Sequence, residues 1–180
     1  MKHSFSIRHS LSAAFALAAF FALNSSAQTT GTTSLSLTVA ASASITISTG
    51  TTTLTAASAT APYTGTTSFN FLVRTSQLIG LGTIQVKITS DFSPANGPSV
   101  ASPPTVGDLL TYTCTSTIGT ACLTATTAST LVNTTVVTFG ADVHSLLAGS
   151  SGTTVWSLTN DPAYKSGTYT ATATYTISVT

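Results

Sequence analysis

The chain has 180 residues, and only 5% of them are charged, against about 25% in an ordinary soluble domain. Five Lys and Arg stand against four Asp, glutamate is absent, and the formal net charge is +1. No basic field exists to neutralise nucleic-acid phosphates or to hold an anionic membrane surface, and the titratable inventory is thin for catalysis.

The first segment reads as an export signal. Lys2, His3 and Arg8 form a basic start, residues 11–23 are continuously apolar, and Asn24-Ser25-Ser26-Ala27 supplies the small residues of a cleavage site. Cleavage after Ala27 is expected to leave one domain over residues 28–180. In that portion Arg74, Lys87 and Lys165 face Asp91, Asp108, Asp142 and Asp161, a net charge near −1. The apolar run is short for a bilayer span, and no Cys follows the cut to take a lipid. The expected product is secreted, extracellular or at the cell surface, with no membrane insertion after signal removal.

An alternating ladder follows. Leu35, Leu37, Val39, Ala41, Ala43, Ile45 and Ile47 all occupy odd positions with Ser, Thr or Ala between them, a period of two that puts them on one face of an extended strand. Thirteen residues at about 3.3 Å each exceed a usual strand. Either Ala40 to Ser44 mark a bend between two sheets, or residues 28–39 form an arm whose Leu35, Leu37 and Val39 fill a groove in another subunit.

Further strands are predicted at Leu54–Ala56, at 68–75 with Phe69, Phe71 and Val73 inward, and at 83–89 with Ile84, Val86 and Ile88 inward. Residues 91–107 carry four of the six prolines and two glycines, which predicts a long surface loop. Strands resume at 108–117, 133–140 and 153–160. Cys114 and Cys122, the only cysteines, are expected to pair as a disulfide after export, with Ile118-Gly119-Thr120 at the tip of a hairpin or short loop. Asp161-Pro162 breaks the chain before a final ladder of Tyr169, Ala171, Ala173, Tyr175, Ile177 and Val179. Seven to nine strands and no helix predict an all-β immunoglobulin-like or jelly-roll sandwich.

The closing stretch from Lys165 through Gly167, Tyr169 and Tyr175 to Val179 resembles the G-x-Y-x-x-x-x-x-x-[YV] final strand of secreted bacterial fimbrial proteins, especially spore coat U-like and pilin-like domains. The V-x-A-x-x-x-I-T-I rhythm from Val39 to Ile47 is similar to their first strand. The early cysteine of that family is replaced here by Ala43 and its neighbours. The resemblance implies an immunoglobulin-like subunit, exported through the periplasm and assembled with a chaperone and usher into surface fibres or adhesive coats.

Catalytic, metal and cofactor sites are not expected. Asp142 and His144 lack a nucleophile beside them, four scattered Asp offer no paired carboxylates for glycoside hydrolysis, and Asp108, Asn160 and Asp161 read as turn formers rather than calcium ligands. The competing function is carbohydrate binding through exposed aromatics. Tyr63 and Tyr164 are the loop candidates, and Trp156, the single tryptophan, reads as core before ligand platform. The expected partners are further copies or fimbrial subunits, a periplasmic chaperone, or a glycan.

Overall fold

The computed structural model describes residues 31–180. The predicted signal, residues 1–27, and its cleavage site lie outside the described residues. A compact unit spans Thr38–Thr180, and it is all-β. Its strands are β1 (Ser42–Ile47), β2 (Thr55–Ala56), β3 (Tyr63–Arg74), β4 (Gly82–Ser93), β5 (Thr111–Ser116), β6 (Thr120–Ala121), β7 (Thr126–Thr127), β8 (Thr134–Phe139), β9 (Ser150–Leu158) and β10 (Thr170–Val179). They form two antiparallel sheets. The first runs β1-β3-β9-β5-β7 with β2 also on β3, and the second runs β10-β4-β8-β6.

Alternation decides which side chains meet between the sheets. On β3 Phe69, Phe71 and Val73 are buried, and on β4 Ile84, Val86 and Ile88 are buried, while their neighbours turn outward. Tyr112, Phe139, Trp156 and Leu158 complete the core. Its rings meet at tilted angles, Phe71 to Phe139 at 5.5 Å and Phe69 to Tyr175 at 5.7 Å between centroids, within the range where aromatic pairs attract. One exception to alternation is instructive. Val136 and Val137 are both fully buried because β8 bulges against β4, Ile84 pairing with Val137 and Gln85 with Thr135, so Val136 is the extra residue.

Three boundaries differ from the sequence reading or decide between its alternatives. The segment 91–107 is not all loop, since β4 runs on to Ser93, held opposite Thr170 of β10, and Pro94 ends it by withholding an N–H. Of the two readings at Ile118 to Thr120, the hairpin tip within one sheet is excluded and the short loop holds. The chain leaves β5 in the first sheet and joins β6 in the second, turning at Gly119 with φ 78°, a backbone state that favours glycine. The Cys114–Cys122 disulfide is formed, and it therefore clasps the two sheets along their β5/β6 edge. Cys114 N–H also donates to the Cys122 carbonyl at 2.7 Å. The third is the opening ladder. Only Ser42–Ile47 is a strand; residues 31–41 lie in no strand. Among the described residues β1 pairs with β3 alone, and that partner ends at Arg74 opposite Ser42, so residues 31–41 have a strand sequence without a strand partner among the described residues.

The loop after β4 is organised by one carboxylate. Asp91 accepts hydrogen bonds from the backbone of Phe92, Val100 and Ala101 and from the Ser99 hydroxyl, at 2.7 to 3.0 Å. Partial burial opposes ionisation, but the bonds from Val100, Ser99, Ala101 and Phe92 outweigh it and hold the Asp91 carboxyl below its ordinary value. A depressed folded pKa means that the stabilisation is present above the unfolded value, near 3.9, and is lost as pH falls through the folded one. We expect the melting temperature of the parent to drop as pH is lowered from about 5 towards 2, and that of Asp91→Asn to start lower and change less over the same interval. Parallel acid limbs in thermal melts of the two proteins would contradict this role.

Candidate functional site

The two sheets close unevenly. At the β5/β6 edge they are joined by the disulfide, whereas at the opposite edge β1 and β10 are the last strands of their sheets and pair with β3 and β4 alone among the described residues. Ala43, Ile45 and Ile47 on β1 and Ala171, Tyr175, Ile177 and Val179 on β10 turn towards the core but remain only half buried. Ala173, expected inward, is exposed, at a stretch where the β10 register against β4 shifts between Thr170 and Ala173. The result is an apolar seam running the length of the sandwich.

The seam widens into a groove of about 1030 Å³ at the pole where β3 begins and β9 ends. Ile47, Leu54, Phe92 and Leu158 give it apolar walls, and Thr49–Leu54 and residues 160–173 frame its mouth. The opposite pole is closed. The β3–β4 connection crosses between the sheets there, with Ser76 N–H donating to the Thr180 carbonyl at 3.2 Å and Thr180 N–H to the Leu81 carbonyl at 2.8 Å.

The residues predicted for strand exchange and for glycan contact separate into two groups. Leu35 and Leu37 are 93% and 86% exposed and Val39 is 55% exposed, all outside any strand. Tyr63, Tyr164 and Trp156 all line the groove, so folding brings Tyr63 to two aromatics more than ninety positions further along the chain. Trp156 is core, 5% exposed. Its ring meets Tyr112 edge-on at 5.3 Å and its Nε1 donates to Thr67 Oγ1 at 2.9 Å, so it presents no free face on which a sugar ring could lie. Tyr63 and Tyr164 are half buried.

Charged groups near the mouth are few. Burial pushes the Asp108 carboxyl up, and the Asp161 carboxylate beside it adds to the effect. The Thr105 hydroxyl and the Ala163 backbone hold Asp161 down. Burial, the adjoining Asp108 and the charge of Asp161 push the Tyr164 phenol up, which keeps it protonated in any physiological medium. Two acids far apart in sequence thus become neighbours, but among the described residues no group of three or more His, Cys, Asp or Glu side chains could hold a metal ion. Asp142 and His144 lie at the closed pole, both exposed, where His144 forms an isolated bridge with Arg74.

Sequence reasoning missed Phe92 and Leu54 as groove residues. Phe92 sits in a Pro-rich stretch read as loop, and only its place one residue from the end of β4 could have flagged it. No family model, curated protein or solved structure matches the chain. Among the described residues no helix is long and apolar enough to cross a membrane.

Proposed function

We propose that this chain is a secreted structural or adhesive subunit that assembles into fibres or coats at a bacterial surface by donating its opening ladder to another subunit. One observation carries the reading: among the described residues, a single chain holds an apolar ladder with no strand partner and an apolar seam with no covering strand. The last strand lies beside β4 and leaves its outer edge open, the arrangement of a sandwich short of one edge strand. A strand that adds to this edge gains backbone hydrogen bonds from β10, and its alternate side chains enter the seam. Leu35, Leu37 and Val39 have the spacing for that.

The fimbrial resemblance of the terminal strands agrees with the same reading, as do the formed disulfide and the scarcity of charge, since a surface destined to be covered has little use for charges. A periplasmic chaperone would serve by occupying the seam until assembly. The function is non-enzymatic. Carbohydrate binding is the weaker alternative, because Trp156 is committed to the core and two half-buried tyrosines make no platform.

The test is deletion of residues 28–39 from the exported protein, followed by electron microscopy and size-exclusion chromatography. Polymers are expected from the parent and none from the deletion variant, which stays folded or is recovered with a chaperone. Polymers that form undiminished without the ladder would refute strand donation.

A further inference from the structure

Strand donation, on which the following rests, leaves almost no slack between subunits. Only Ala40 and Ala41 separate Val39 from Ser42, the first residue of β1. Three Cα steps reach about 10–11 Å when fully extended. If Val39 sits in a neighbour's seam, the donor's own sandwich must abut that neighbour.

The donor pole that would make this contact is defined by the topology. Ser42 pairs with Arg74, Arg74 bridges His144, Thr75 N–H donates to the Val143 carbonyl and Asp142 N–H to the Ser76 carbonyl. The β3–β4 and β8–β9 loops therefore stand side by side next to the root of the arm. Both loops carry large apolar side chains in water: Leu78, Ile79 and Leu81 on the first, Leu146 and Leu147 on the second, with Leu147 wholly exposed. Five exposed aliphatic residues on adjoining loops at one pole are a liability for a protein that stays alone.

The acceptor pole follows as well. The seam is closed at the Thr75–Leu81 crossing and open at the Thr49–Leu54 and 160–173 end, so the donor's body approaches from the open end. There the connection from β4 to β5 offers Val106, also fully exposed.

We propose that the Leu78, Ile79, Leu81, Leu146 and Leu147 surface is a second interface, which docks on the groove-mouth pole of the next copy of this chain and fixes the subunits head to tail. The ladder sets who binds whom, and the loops set the angle and lifetime of the junction. Truncating such apolar anchors weakens an interface without removing its other contacts.

The experiment compares the full-length exported protein with its Leu78→Ser/Ile79→Ser/Leu146→Ser/Leu147→Ser variant. All four positions are exposed, and equal melting temperatures check that the variant folds. Binding of a labelled peptide of residues 31–41 reads strand donation alone, and fibre length by electron microscopy reads the junction. The expected result is unchanged peptide binding with fibres at least about tenfold shorter or absent. Fibres of parental length and stability from the variant would overturn the second interface while leaving strand donation intact. A parent that neither binds the peptide nor forms fibres would overturn both. As an independent check, Leu147→Cys with Val106→Cys is expected to give an intermolecular disulfide ladder on non-reducing gels, and its absence from assembled parent-like fibres would count against the head-to-tail contact.

Discussion

A chain carrying a second copy of residues 31–41 after Thr180, joined by a short Gly/Ser linker, is expected to remain monomeric and to melt roughly 10 °C above the parent, a shift that corresponds to about 3–4 kcal/mol in a domain of this size. The geometry favours the graft. β10 ends at the closed pole, so a segment that turns back after Thr180 runs antiparallel to β10 towards the groove mouth, the direction in which a donated arm would also run. Burial of Leu35, Leu37 and Val39 and new backbone hydrogen bonds to β10 stabilise the grafted form, and the entropy lost on ordering the segment offsets part of that gain. Replacing Leu37 by Asp in the graft should erase the shift, because a carboxylate cannot enter the seam without a partner. Calorimetry and sedimentation velocity would measure both effects; a graft that leaves melting and polymerisation unchanged would mean that the seam does not accept this ladder.

Trp156→Ala is expected to cost about 3–5 kcal/mol, the usual penalty for removing a large buried aromatic. The indole fills the space behind the groove, meets Tyr112 edge-on and donates to Thr67 Oγ1, which is itself 2.6 Å from Thr52 Oγ1. Its loss opens a cavity and leaves the Thr67–Thr52 pair without its donor. Trp156→Phe should cost much less, since the ring volume is largely kept and the missing donor is worth about 1–2 kcal/mol. Urea denaturation followed by circular dichroism reads both variants. If Trp156→Ala instead left stability intact and abolished binding on a glycan array, the carbohydrate reading would replace the present one.

Much of the fold was legible because strands declare themselves by alternation. Phe69-x-Phe71-x-Val73 and Ile84-x-Val86-x-Ile88 face the core as their period requires, and the paired cysteines met as export chemistry predicts. Where alternation fails, a neighbour decides. Val136 and Val137 are both buried because β4 imposes a bulge on β8. The short strands β6 and β7 exist only because β8 and β5 offer them edges, and a two-residue Thr-rich segment carries no signal of its own. The candidate site was half legible. The surplus length of the opening ladder was visible in Leu35, Leu37 and Val39, but the seam between β1 and β10 is a property of strand order, which no local pattern encodes. The gathering of Tyr63, Trp156 and Tyr164 around one groove likewise depends on contacts between residues about a hundred positions apart.

The bridge between Cys114 and Cys122 joins β5 of one sheet to the end of β6 in the other, away from β1 and β10. Beside β1 and β10 the sheets are fastened a second time, by the Thr75–Leu81 crossing and its hydrogen bonds with Thr180. The sandwich is therefore pinned at two separate places, and the end that carries neither pin is the one where the groove opens.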